Sequence, residues 1–158
     1  MKNIGGKYFA RTLFILYCLV MLWLLFHRAH WEERSCNLIP LRTIRGYFEI
    51  FARFDFYGSG TRMYAVVNFA GNVLLFTPLG MFLPYLFGNE RRFPVFFLTV
   101  VFIISAVESV QYLTYTGAMD IDDLILNTLG AVTGYMIWKW EDRTESDSTL
   151  PNAWDSDE

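Results

Sequence analysis

The side chains able to do chemistry in this sequence are carboxamides and carboxylates, and they recur at helical spacing. Asn68 and Asn72 are four apart, Glu108 and Gln111 three apart, and Asp123 and Asn127 four apart, with Asp120 and Asp122 just upstream of the last pair. Residues three or four apart share a helix face, so each pair presents two polar groups in one direction. Three uses are open to such a set. Oxygens from Glu108, Asp120 and Asp123 suit a hard divalent cation. Acids and amides together can hydrogen-bond a polar headgroup. The same groups can also satisfy one another between helices. In a catalytic version of the site, Glu108 or Asp123 would act as acid or base.

Other chemistries lack their residues. The sequence has no Ser-His-Asp set, no phosphate-cradling glycine loop and no cysteine-rich metal spacing. No cofactor signature is present either. The net charge of −3 and the absence of a basic patch exclude a nucleic-acid partner. His27 and His30 flank an apolar stretch and mark an interface rather than a ligand set. Cys18 and Cys36 fall at different depths, too far apart to pair readily.

The elements that must position these groups are membrane spans. Hydrophobic residues make up 54% of the chain and charged residues 18%, against roughly 25% charged in soluble domains. A helix needs about 20 apolar residues to cross a bilayer, and four segments come near this: about 9–27, 64–87, 94–115 and 122–139. A soluble helical bundle would need polar faces at helical period, yet only Thr99 and Ser105 interrupt Val95 to Val107. The first span follows Lys2, Lys7 and Arg11 and lacks a small-residue cleavage site, as an uncleaved signal anchor does. The expected architecture is all-α, a four-helix transmembrane bundle over residues 1–140. The fourth span is the shortest. From 141 to 158 an acidic, disordered tail is expected.

Alternating spans bring the polar groups to one depth. Glu108 lies about 21 Å beyond Pro94 at about 1.5 Å per residue, level with the start of the second and fourth spans. Gly71 would leave space beside Asn68 and Asn72. Gly130 and Gly134 form the G-x-x-x-G spacing that lets helix backbones approach. Thr77-Pro78-Leu79-Gly80 and Pro84 should kink the second span. With the N-terminus inside, Lys2, Lys7, Arg11, Arg91, Arg92, Lys139 and Arg143 are cytoplasmic, and the first loop with Arg28, Arg34, Arg42, Arg45, Arg53 and Arg62 is outside. The basic N-terminus and the Arg91-Arg92 turn favour cytoplasmic termini, which puts the cluster near the outer face.

The first loop contains an amphipathic segment, Leu41 to Tyr57. Arg42, Arg45, Glu49 and Arg53 form one stripe, and Glu49 to Arg53 has the favourable i,i+4 order. Aromatic residues opposite suit an interfacial helix in contact with membrane lipids. Arg42 and Arg45 either pack the loop down or bind lipid or substrate phosphate. Upstream, Asn37-Leu38-Ile39-Pro40 reads as a turn.

Three motifs in this order resemble the VanZ family: Asn37-Leu38-Ile39-Pro40; Gly71 to Gly80, reading GNVLLFTPLG; and Glu108-Ser109-Val110-Gln111 leading to Asp120-Ile121-Asp122-Asp123-Leu124-Ile125-Leu126-Asn127. The resemblance covers roughly Asn37 to Tyr135, and its third motif is the specific one. It implies a multi-pass protein of the bacterial plasma membrane, in a family whose namesake is associated with resistance to the glycopeptide antibiotic teicoplanin. It supplies no reaction. It does point at Asn72, Glu108, Gln111, Asp120, Asp123 and Asn127. The leading expectation is a non-enzymatic protein of the cell envelope that binds a lipid or lipid-linked cell-wall component. A membrane enzyme on a lipid-linked substrate, and a structural scaffold subunit, are the alternatives.

Overall fold

The computed structural model describes residues 4–27, 36–53 and 58–148. Five helices follow in order: α1 (Ile4–Phe26), α2 (Arg42–Ala52), α3 (Ser59–Leu86), α4 (Phe93–Leu113) and α5 (Ile121–Ser148), with a 3-10 turn at Gly88–Arg91. Two short strands, β1 (Cys36–Asn37) and β2 (Met119–Asp120), pair in parallel. The fold is all-α, four long helices with the short amphipathic α2 inserted after the first. His30, Arg28, Arg34 and Phe54 fall outside the described residues, as does 149–158.

Side-chain contacts fix the helix directions. Phe14 of α1 packs on Phe82 and Phe87, and Tyr17 donates to the Leu75 carbonyl at 2.7 Å, so α1 and α3 are antiparallel. Gln111 near the end of α4 donates to the Leu25 carbonyl at 2.9 Å, joining the ends of α1 and α4. Gly130 and Gly134 of α5 lie on Val73 and Thr77 of α3, in the same order, so those two helices run parallel. One end of the bundle therefore gathers the start of α1, the Arg91-Arg92 turn and the Lys139 region of α5. There the Arg91 guanidinium stands 5.6 Å from the Trp138 ring and the Tyr135 hydroxyl donates to the Arg91 carbonyl at 2.7 Å. The other end gathers α2, both strands and the start of α5.

Among the described residues three helices are long and apolar enough to cross a membrane: Gly6–Phe26, Ser59–Leu86 and Phe93–Leu113. Their outward surfaces are apolar, as at Leu16, Leu19, Trp23, Leu74 and Phe102, which suits lipid and not water. α5 does not reach that apolarity, because its ends are acidic. Its outward residues Ile125, Leu129, Met136 and Trp140 are apolar all the same, and it runs alongside α3. The helix also continues past Lys139 through Glu141 to Ser148. The expected disordered tail thus begins inside a helix, for no glycine or proline interrupts 141–148.

Phe76, Phe96, Val100, Ile104, Ala131 and Tyr135 form the main core. A smaller one joins Tyr47, Ala65 and Leu126 beneath α2, where the rings of Tyr47, Phe48 and Phe51 stand edge-on to Phe69. Pro78 and Pro84 sit inside a continuous α3. Around Pro78, the Thr77 hydroxyl bonds the Val73 carbonyl at 2.9 Å and Tyr17 takes that of Leu75, the two carbonyls flanking that of Leu74, which the proline leaves without its helical N–H.

The closest helix contact is backbone on backbone. A Cβ at Gly130 would overlap the Val73 carbonyl oxygen, one at Gly134 that of Thr77, and one at Gly80 that of Ala131. Gly71, by contrast, has nothing within 4 Å of its missing Cβ; it faces outward and opens no space beside Asn72. Overpacking of a tight interior contact costs about 1–3 kcal/mol. Replacement Gly134→Ala should therefore lower the melting temperature of the purified protein, whereas Gly71→Ala should leave it within error of the parent. Equal shifts in the two variants would contradict the close crossing.

Candidate functional site

The chain after α1 returns at Cys36 and pairs with the residues just before α5, Asn37 opposite Asp120. The Asn37 amide donates to Asp120 Oδ1 and to Thr43 Oγ1, both at 3.1 Å. The Thr43 hydroxyl donates to Asp120 Oδ2 at 2.6 Å, and the Asp122 N–H to Asp120 Oδ1 at 2.8 Å. Asp120 thus caps the first turn of α5 and at the same time anchors the Asn37 segment.

Asp122 does a different job. It is 0% exposed, and its Oδ1 accepts the Leu41 N–H at 2.5 Å. Its Oδ2 accepts those of Thr43 at 2.6 Å and Ile44 at 3.2 Å. α2 has no side-chain cap of its own, so the donors left open at its start are met by a carboxylate from another helix. The helix dipole favours a negative charge there. Pro40 makes the approach, and Leu41 turns with φ 66° and ψ 5°, a left-handed conformation costing a side chain about 1–2 kcal/mol. That turn aims the Leu41 N–H at Asp122.

The remaining polar residues divide between other contacts. Asn72, buried in α3, donates to Asp123 Oδ1 at 2.5 Å. Asn127 is 2% exposed, and its Oδ1 accepts no hydrogen bond among the described residues. Gln111 is used on α1, and Asn68 on its own helix, donating to the Tyr64 carbonyl at 2.8 Å. These bonds tie α5 to α3 and α4 to α1. Glu108 instead borders a cavity of about 80 Å³ with Leu38, Ser105, Ser109, Asp120 and Leu124. Among the described residues no group of three or more His, Cys, Asp or Glu side chains is placed to hold a metal ion.

Outside the same segment lies an open groove of about 690 Å³, lined by Ile39, Leu41, Arg42, Ile44, Arg45 and Phe48. Arg45 pairs with Glu49 at 3.2 Å. The expected Glu49–Arg53 pair gives way to it because Arg53, with φ −105° and ψ 56°, has already left the helix. Such an exposed pair contributes little to stability.

Sequence reasoning missed Thr43, and it treated Asn37 as part of a turn alone. A helix start at Arg42 without a capping residue was the available signal that its cap had to come from elsewhere. Removing a charged acceptor from several buried N–H groups costs about 1–3 kcal/mol or more. Asp122→Ala should lower thermal stability by that order and speed hydrogen exchange at the amides of Leu41, Thr43 and Ile44, while the α4 amides stay protected. Unchanged exchange at those three amides would refute the capping role.

A family model described as VanZ/LLP1 matches residues 14–141. Protein VanZ of Enterococcus faecium is 26% identical over 141 residues, spanning 84% of this chain and 75% of that protein. No solved structure gives a significant match. The matched stretch runs from within α1 to within α5 and takes in both strands and the Asn37, Asp120 and Asp122 junction, and the chain belongs to the VanZ/LLP1 family.

Proposed function

We propose that the protein works in the bacterial cell envelope, binding a lipid or lipid-linked cell-wall component at the α2 end of its bundle. The observation that supports this reading is the cavity bordered by Glu108 and Asp120. Both acids are buried, and an ionisable group kept at membrane depth marks function by default. The cavity lies just beneath the segment that carries the arginine groove. Lys7, Arg11, Arg91, Arg92, Lys139 and Arg143 mark the opposite end, which supports cytoplasmic termini and an outward-facing α2. Headgroup contacts then fall to Glu108, Asp120 and the nearby amides, with Arg42 and Arg45 at the phosphate.

The family's association with teicoplanin makes susceptibility to that antibiotic the phenotype to follow. In a sensitive host expressing the chain, Glu108→Gln should bring susceptibility back toward the empty-vector level with protein abundance unchanged. Asp123→Asn should do the same more weakly, because an amide can still bond Asn72. Full protection by both variants would sink the site.

A scaffold role is favoured by a separate observation: Asp120 and Asp122 are fully engaged in joining α2 to α5. On that reading Glu108→Gln would lower the melting temperature and leave lipid binding untouched. Acid–base chemistry on a lipid-linked substrate draws on the same Glu108 cavity. It requires purified protein to turn over such a substrate and Glu108→Gln to stop it.

A further inference from the structure

We infer that the groove on the first half of α2 seats the phosphate of a membrane amphiphile, with Arg42 as its principal contact and Ile39, Leu41 and Phe48 against its chains. This rests on the reading that the α2 end binds lipid, and it names the chemistry recognised. Charge is the first reason. Among the described residues Arg42 has no ion-pair partner, Arg45 shares its charge with Glu49, and no acid lines the groove. A guanidinium offers a planar fork of donors that matches phosphate oxygens.

The second reason is the company those arginines keep. Ile39, Leu41 and Phe48 are each about 60% exposed beside them (60%, 58% and 58%), so cation and apolar surface are presented together. Inorganic phosphate would use only the first, a hydrocarbon only the second. A lipid phosphate uses both. The groove's 690 Å³ lies within the roughly 300–1,000 Å³ of small-molecule sites.

Rigidity is the third. The backbone N–H groups at the start of α2 are already held by Asp122, so an incoming anion is left to the side chains. The same bonds fix the groove wall before any ligand arrives, which reduces the ordering cost of binding.

The test is a native mass spectrometry titration of the detergent-purified full chain with dioleoyl phosphatidic acid and dioleoyl phosphatidylcholine. Wild type should prefer the phosphatidic acid by about tenfold or more. Arg42→Gln/Arg45→Gln should reduce this to about twofold while melting with the parent, both side chains being exposed. Phe48→Ala should weaken both lipids together. Millimolar inorganic phosphate should displace neither. No preference in wild type, or one retained in the double arginine variant, overturns the proposal, and displacement by inorganic phosphate overturns its amphiphile half. Gly71→Ala, which faces outward and away from both spaces, is titrated alongside and should keep the preference; a failed susceptibility assay of the Glu108 variant with an intact arginine effect tells against the cavity and not against the groove.

Discussion

Everything at the α2 end depends on how closely α3 and α5 approach. Gly80, Gly130 and Gly134 let the two backbones touch where any Cβ would meet a carbonyl oxygen. In lipid there is no hydrophobic drive to press helices together, so association rests on packing and on polar contacts. Close backbone approach supplies the packing, and with it weak Cα–H to carbonyl contacts. The crossing also sets register. With Gly130 on Val73, the start of α5 is placed so that Asp123 reaches Asn72, and Asp120 and Asp122 project toward the chain returning from α1. A shift of one helical turn along α3, about 5.4 Å, would take every one of those carboxylates away from its donors.

The three aspartates at the start of α5 show how one short motif serves three neighbours. Asp120 accepts from side chains and its own helix, Asp122 from the backbone of α2, and Asp123 from α3. Burial of charge at this depth costs several kcal/mol when nothing compensates. Here Asp120 and Asp122 accept from neutral N–H and O–H donors. That choice makes the junction directional: an N–H must point at each oxygen, whereas a lysine or arginine would tolerate many poses. It also leaves both α2 arginines free of the core. They remain exposed on the surface of the protein.

Much of this was legible from the residues. Span positions follow from apolar length, and three of the four expected spans are long and apolar enough to cross a membrane. The role of Gly130 and Gly134 follows from their spacing. What stayed hidden is tertiary. Nothing local tells Asp122 apart from Asp123, since their partners are about 80 and 51 residues away in sequence (|i−j| of 79 and 51 in these bonds). Periodicity assigned Asn68 and Asn72 to one face, correctly, but only contact with α5 distinguishes the buried Asn72 from an Asn68 that bonds its own helix. Gly71 was expected to leave space beside Asn68 and Asn72, yet it faces outward and the close approach is made at Gly80, because a glycine's neighbours are set by the partner helix. The two-residue strand pair is too short to carry any period at all. The end of α5 was misplaced for the opposite reason: loss of apolarity ends a span, not a helix.

The position of Leu38 and Ile39 gives the α2 end its functional logic. Leu38 lines the cavity that Glu108 borders, and Ile39 lines the groove that Arg42 borders. One short stretch of backbone is thus the partition between the space beside Glu108 and Asp120 and the groove beside Arg42 and Arg45. Its two ends are pinned to the same helix, at Asn37 through Asp120 and at Leu41 through Asp122. Pro40 removes one N–H from the stretch, and the Asn37 side chain accepts another, from Ile39, at 3.3 Å. A partition held at both ends by α5 keeps the two spaces apart yet in fixed relation. That relation is set by the spacing of Asp120 and Asp122 at the start of α5, which hold Asn37 and Leu41.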